Sequence, residues 1–286
     1  MTSATAAVPE LHYRIATRAL GHFPGAHRSG RGDSGFEFRG HAALLDAPDP
    51  RRLDLHASLR DPFGNWLVRV HSQRQSIPVV LVADLSASMG FVSAARRKLD
   101  VLADFAASLA WSAWRNGDAF GFVGCDSAVH ETLLQPPTRV RAAGAALADR
   151  LRVLQPTGRT AQGLAQAHLY LGRQRALVFL VSDFHLPLPQ LEAVLASLAH
   201  HECVPVVLWD PLEFGLSTRR GLVRVVDPER GGERLLWWRP ALRDKWQAAQ
   251  AARRAALAQV FDRHRLRALF IEGGFDADAV TRHFQQ

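Results

Sequence analysis

Lysine is nearly missing from this chain of 286 residues. Lys98 and Lys245 stand alone among 35 basic side chains, so the formal charge of +8 is carried by arginines scattered in ones and twos along the whole length. No dense basic tract stands out, and solvated arginine-rich faces account for the charge better than a nucleic-acid groove does. Cysteine is equally scarce. Cys125 and Cys203 sit in separate apolar stretches without metal-ligand spacing, which fits buried reduced thiols. No apolar run approaches the ~20 residues of a membrane helix, and the first residues show no basic, apolar and cleavage-site series. These absences predict a cytoplasmic chain that does not insert into a membrane. The tripeptide Arg31-Gly32-Asp33 matches an adhesion sequence, but three residues recur by chance and a cytoplasmic chain would not meet an integrin.

What is present is organised around Ile77-Pro-Val-Val-Leu-Val-Ala-Asp84-Leu-Ser86-Ala-Ser88-Met-Gly90. Apolar residues around Pro78, several of them β-branched, run into an acid and two hydroxyls at alternate positions, and a long helical pattern follows. That is a buried strand ending in a polar loop. Leu99, Leu102, Ala103, Ala106, Leu109, Ala110 and Ala113 mark one face of a helix that Asn116-Gly117-Asp118 stops. Ala119 to Cys125 reads as a second strand, with residues 128 to 134 returning beside it as a hairpin through Asp126-Ser127. A helix over about 140 to 154 precedes the loop Gln155-Pro-Thr-Gly158-Arg-Thr160, and an alanine-rich helix reaches Leu171. Ala176 to Asp183 then repeats the opening theme, an apolar strand that delivers an acid at its carboxyl end.

Further on come a helix at 188 to 200, a strand at 204 to 209, a hairpin of 222 to 226 against 234 to 238 around Pro228 to Gly232, a long helix over 240 to 264, a strand at 267 to 271 and a terminal helix. Strands alternating with helices predict an α/β fold, a doubly wound and mainly parallel sheet with an antiparallel hairpin addition. The expected division is an N-terminal extension over 1–75, packing on a main domain over 76–286. The first 25 residues lack a period and could be a helical lead-in or a loose arm. Within the extension, Asp49 to Arg60 and the strand Trp66 to His71 read as a structural clasp in which Asp54 and Arg60 pair or cap backbone.

In an open α/β sheet, ligands bind beyond the carboxyl ends of the strands. Asp84, Ser86 and Ser88 after one strand, Thr160 from a loop and Asp183 after an expected neighbouring strand would converge there. Their oxygens suit Mg²⁺ or Mn²⁺ in a near-octahedral site completed by water and an external carboxylate.

This Asp-x-Ser-x-Ser, Thr and Asp set resembles the metal-ion-dependent adhesion site of von Willebrand factor type A domains. Together with Arg52-Leu-Asp54, Ser58-Leu-Arg60, Leu67-Val-Arg69, Ser182-Asp-Phe184 and Asp210-Pro211-Leu-Glu213, it resembles a bacterial subfamily long filed as a domain of unknown function, over roughly residues 25 to 275. Members are commonly encoded beside MoxR-type AAA+ ATPases, and an MxaS-like branch lies in methanol-oxidation gene clusters. The subfamily usually has a tyrosine, then Gly-Asp-Asp before the arginine, and a tryptophan after the aspartate, where this chain has Leu44, Ala47-Pro48-Asp49 and Leu55. Many relatives also carry N-terminal membrane helices that are missing here. The resemblance implies that Ser86, Ser88 and Thr160 bind the cation directly, while Asp84 and Asp183 hold it partly through water. It implies no enzyme but an adaptor that acts with a MoxR-type AAA+ ATPase and takes a carboxylate from a client protein.

Other chemistries fit less well. A metal-dependent phosphatase-like hydrolase could use Asp84 as nucleophile, yet the general acid expected two residues on is replaced by Ser86. Neither serine lies in a Gly-x-Ser-x-Gly elbow. His185 is the best available base but reads as a surface or supporting histidine. Arg150 to Arg175 superficially spells helix, turn and helix, although its second half leads into a buried strand as a crossover would.

Overall fold

The structure, a computed structural model, describes residues 8–15, 24–28, 37–72, 74–92, 96–214, 221–226 and 231–285. Arg31-Gly32-Asp33 and residues 228–230 of the expected hairpin turn lie outside them. The chain forms two compact units, one of residues 15–77 and one of residues 1–14 with 78–286.

In the smaller unit, β1 (Pro24–Arg28), β2 (Glu37–Ala43), α1 (Leu55–Leu59), β3 (Leu67–Ser72) and β4 (Arg74–Gln75) make two antiparallel ribbons, β1 with β4 and β2 with β3. Asp54 knots the β2–β3 ribbon. Its carboxylate caps α1 through the Ala57 N–H at 3.1 Å and takes Arg69 Nε at 2.8 Å and His41 Nε2 at 3.0 Å. The Arg69 guanidinium, the Ala57 N–H and His41 together hold that carboxyl far below the usual range. The expected clasp is therefore present with a different cation. Arg60 is the C-cap residue of α1, while Arg69 on the neighbouring strand reaches the acid.

The larger unit is built on six strands in the order β12-β9-β8-β5-β6-β7. In chain order its elements are β5 (Pro78–Asp84), α2 (Lys98–Arg115), β6 (Ala119–Cys125), β7 (Gln135–Thr138), α3 (Ala143–Val153), a 3-10 helix (Gln162–Tyr170), β8 (Leu177–Ser182), α4 (Leu188–Ser197), β9 (Glu202–Trp209), α5 (Pro211–Phe214), β10 (Gly221–Val226), β11 (Glu233–Trp238), α6 (Pro240–Arg263), β12 (Leu269–Glu272) and α7 (Ala277–Gln285). All neighbours in the six-stranded sheet are parallel except β6 with β7. The fold is thus α/β with a mainly parallel sheet, and β10 with β11 forms a separate antiparallel hairpin.

Period-two alternation sends side chains to two covered faces. Val80, Val82, Val178, Leu180 and Val207 join Leu191, Leu257 and Phe261 of α4 and α6 in one buried cluster. On the other face Phe179 meets Phe105 of α2 and Phe284 of α7 edge to face, with centroids 5.5 and 5.9 Å apart. Burying a side chain of this size contributes about 1.5–3 kcal/mol. The sheet is closed to solvent on both sides, so polar groups of its strands emerge at the carboxyl ends.

Three expectations are corrected. The return beside β6 starts as expected, with an antiparallel bridge of Cys125 to Val129 and the His130 N–H on Gly124 O at 2.8 Å, but residues 131–133 form a 3-10 turn and the paired strand is Gln135–Thr138. Two prolines suit an edge strand, and Gly121 makes room for it, since a Cβ there would lie 3.1 Å from Gln135 O and Pro137 N. The alanine-rich segment is a 3-10 helix over 162–170 and not an α-helix. Its start is pinned to the preceding turn by Gly163 N–H donating to Asp126 O at 2.8 Å, against backbone so close that a Cβ would lie 2.5 Å from Ala128 O. Finally, residues 8–15 are neither helical nor loose: Leu11 is fully buried with its N–H on Ser112 Oγ at 2.9 Å, and Tyr13 OH donates to buried Asp118 Oδ2 at 2.6 Å.

Candidate metal centre

The connections reverse direction at the middle of the sheet. From β5 the chain moves to β6 and β7 on one side, then crosses back to β8 and β9 on the other. The crevice at such a switch point is where open α/β sheets hold ligands. Asp84 ends β5 and Asp183 follows β8, so the two acids flank that point on neighbouring strands.

Asp84 is 1% exposed, and both its oxygens are occupied. Oδ1 accepts the Ser86 N–H at 2.9 Å and Oδ2 accepts the Ser182 hydroxyl at 2.7 Å. Burial, then the nearby Asp183 charge, pushes its carboxyl up to about 6. Each oxygen thus accepts one hydrogen bond and keeps a lone pair for a further partner. Ser86 and Ser88 are buried, with their Oγ atoms 3.2 Å apart. Adjacent oxygens of an octahedral Mg²⁺ shell lie about 3 Å apart, as ligand distances of about 2.0–2.1 Å require. The spacing of the two serines fits that edge.

The loop that carries Thr160 is clipped to the serine loop. Ala87 N–H donates to Gly158 O at 2.7 Å, and Gly158 lies so close to Asp126 that a Cβ would sit 2.4 Å from its Oδ2. Gly90 and Pro156 make a second close approach, with a Cβ at Gly90 falling 2.6 Å from the proline ring. Thr160 Oγ1 is buried with no hydrogen-bond partner among the described residues. A buried hydroxyl without a partner is costly, and a cation beside it would remove that cost. Asp126 caps its own turn through Ala128 N–H at 3.1 Å.

Asp183 is held from every side. It is 1% exposed, its carboxylate accepts the His185 N–H at 3.3 Å, its carbonyl accepts Trp209 Nε1 at 2.9 Å, and Lys98 Nζ reaches Oδ2 at 2.9 Å. Burial alone would raise this carboxyl; the Lys98 and His185 charges outweigh it and bring it down to about 2. The next residue, Phe184, has a left-handed φ of 52°, a conformation a bulky side chain adopts only under constraint. The constraint comes from α6. Phe261 packs on the Phe184 ring at 5.4 Å, and the Arg253 guanidinium donates to the carbonyls of Phe184 and Leu186.

Asp84, Ser86 and Ser88 are thus joined by hydrogen bonds, Asp183 stands beside them after the neighbouring strand, and Thr160 stands on the adjoining loop. The donor chemistry fits a hard divalent cation: three hydroxyls and two carboxylates, with an orphaned oxygen among them. Sequence reasoning missed Lys98. Its ammonium also bonds Glu213 Oε1 at 2.6 Å, and the side chain is only 4% exposed. A signal existed, because a lone lysine in the first turn of a long helix opposes the macrodipole and needs a compensating acid. His185 is exposed, and with Asp183 and Glu213 it offers donor atoms that all lie within 4.8 Å of one another, a second grouping that could hold a metal.

The family described as "Protein of unknown function DUF58" matches residues 48–256. The chain belongs to this family. Among similar proteins, an uncharacterized protein in the 3′ region of moxR of Paracoccus denitrificans is 37% identical over 100 residues, 34% of this chain and 91% of that protein. An uncharacterized protein of Mycobacterium tuberculosis is 27% identical over 230 residues, 74% of this chain, and the chain spans 66% of its length. Similar solved structures include the conserved hypothetical protein BatB of Bacteroides thetaiotaomicron, with a TM-score of 0.44 at 12% identity over 73% of this chain and 98% of that one. The SpRpn10 VWA domain gives 0.41 at 12% identity over 72% and 95%. Among the described residues, no helix is long and apolar enough to cross a membrane.

Proposed function

We propose that this protein is a docking adaptor whose oxygen cluster, Asp84, Ser86, Ser88, Thr160 and Asp183, binds Mg²⁺ or Mn²⁺ and through it a carboxylate of a partner protein. The observation that supports this reading is the bonded group of Asp84, Ser86 and Ser88 at the switch point of the sheet, with buried Asp183 on the neighbouring strand and a buried, unpartnered hydroxyl at Thr160 on the adjoining loop. Ser86, Ser88 and Thr160 would be direct ligands, and Asp84 and Asp183 would orient water around the ion. When bound, the cation supplies a positive centre for an incoming acid, because its neutral hydroxyl ligands leave its charge largely uncompensated. The chain's own contribution is to fix the hydroxyls: Asp84 locks the serine loop through the Ser86 N–H, and Ser182 locks Asp84.

A relative in the 3′ region of moxR supports a MoxR-type AAA+ ATPase as the second partner, with the adaptor linking ATP-driven remodelling to assembly or maturation of a client enzyme complex, methanol oxidation being one such setting. We place the protein in the cytoplasm, with residues 1–75 as an extension whose first residues, through Leu11 and Tyr13, are bonded into the main domain. The test is binding of a purified MoxR-type ATPase to wild-type protein and to the Ser86→Ala/Ser88→Ala variant, each in Mg²⁺ and in EDTA. The proposal expects retention by wild type in Mg²⁺ alone. Equal retention in all four conditions rejects the metal-dependent part.

A further inference from the structure

The Lys98 ammonium lies inside the acidic part of the centre. It contacts Asp183 Oδ2 and Glu213 Oε1, and Asp183 lies close enough to Ser88 for the two side chains to influence each other, so the lysine is one residue removed from a hydroxyl of the cluster. Its position is set by the fold. Lys98 opens α2, and the next apolar side chains of that helix, Leu99 and Leu102, are fully buried. A cation in the first turn of an 18-residue helix is opposed by the macrodipole, which makes the two carboxylates its anchor. Without it, Asp183, His185 and Glu213 would form an open cation pocket, since their donor atoms lie within 4.8 Å of one another. The ammonium fills that pocket.

We propose that Lys98 is the resident counter-cation of this centre: by neutralising Asp183 and Glu213 it keeps the hydroxyl cluster from holding a divalent cation tightly until a partner's carboxylate joins the shell. This rests on the metal-dependent docking reading above and deepens it. A positive charge so close to the ion repels it in a site where water screens little. Of the two cluster acids, it leaves Asp84 as the one not paired with a cation among the described residues. Cation and acidic partner then bind together, each weakly alone, which makes docking reversible and dependent on both.

The test measures Mn²⁺ affinity by the electron paramagnetic resonance signal of free Mn²⁺, using the full chain as wild type, Lys98→Arg and Lys98→Met/Glu213→Gln. The double variant removes the ammonium together with Glu213, so the net charge of the buried group is unchanged and folding is protected, while Asp183, the acid that belongs to the cluster, loses its paired cation and is free to face the ion. The inference expects the double variant to bind Mn²⁺ roughly tenfold or more tightly than wild type, Lys98→Arg to stay near wild type, and acetate added as a carboxylate probe to strengthen binding in wild type more than in the double variant. Equal affinity of wild type and double variant overturns the role of Lys98 and leaves the docking reading standing. No Mn²⁺ binding by any form, with or without acetate, removes the docking reading and this inference with it.

Discussion

Lys98 Nζ lies 2.9 Å from Asp183 Oδ2, joining the first residue of α2 to the loop after β8 across 85 positions of sequence. In a chain with only one other lysine, this pair sets the charge of the candidate centre. Breaking a buried ion pair from one side costs about 3–5 kcal/mol. The single variant Lys98→Met is therefore expected to melt well below wild type in EDTA, and to recover part of the loss in Mn²⁺, by differential scanning fluorimetry. A melting point unchanged in EDTA would show that the pair contributes nothing to folding.

Asp84 carries a pH dependence of determined sign. Its carboxyl is raised to about 6 from 3.8, by burial first and by Asp183 second. Below the unfolded value both states are protonated and no difference arises. As pH climbs from there through 6, the unfolded chain releases the proton and the folded chain resists, so stability falls and stays lower above 6. Asp84→Asn removes that penalty. It is expected to raise stability in EDTA at pH 7.5 by ~1–3 kcal/mol, to change it little near pH 3.5, and to abolish any thermal shift by Mg²⁺. A lowered melting point at pH 7.5 in EDTA would contradict this account.

Gly158 is expected to tolerate no side chain. A Cβ would lie 2.4 Å from Asp126 Oδ2, so the loop carrying Thr160 would have to withdraw from the serine loop. Gly158→Ala should cost about 1–3 kcal/mol and weaken Mn²⁺ binding more than Gly172→Ala. At Gly172 a Cβ meets nothing within 4 Å, although its φ of +74° adds backbone strain. Calorimetric melting and Mn²⁺ titration of both variants separate the two effects.

Arg253 serves Asp183 at a distance. It holds the carbonyls on either side of His185 while Phe184 keeps its left-handed φ. Arg253→Gln is expected to destabilise by about 1–3 kcal/mol and to lower Mn²⁺ affinity, while Arg254→Gln, which loses a surface pair with Glu272 and the stacking of its guanidinium 4.2 Å over the Phe270 ring, should cost no more than about 1–2 kcal/mol and leave Mn²⁺ affinity unchanged. Matched effects of the two variants would remove the positioning role.

Tyr13 binds the larger unit to its first residues. Tyr13→Phe takes the hydroxyl from Asp118, a fully buried acid, and should cost about 1–3 kcal/mol. Chemical denaturation that gives the same free energy for both proteins would show that the contact carries no weight.

Much of the sheet was legible in the sequence because burial on two faces imposes continuous apolar runs. Val79 to Ala83, Leu177 to Val181 and Val204 to Leu208 could satisfy their side chains nowhere else. The acids that end two of these runs were legible for the same reason, since Asp84 and Asp183 interrupt apolar stretches at the point where the strands leave the core. Helix α2 could be read from the spacing of Leu99, Leu102, Ala106 and Leu109. The 3-10 form of residues 162–170 and the placement of β7 could not, because both follow from close approaches at Gly163 and Gly121 to backbone elsewhere in the chain. Arg69 as the partner of Asp54, rather than Arg60, depended on strand pairing that brings position 69 opposite position 41. The sequence by itself determined which oxygens stand at strand ends, because local periodicity fixes where a strand stops. Tertiary structure alone decided their charge environment: Lys98, Glu213 and Arg253 come from distant segments, and only packing of α2, α5 and α6 against the sheet sets which acid meets a cation and which is left to be neutralised by a proton or a metal.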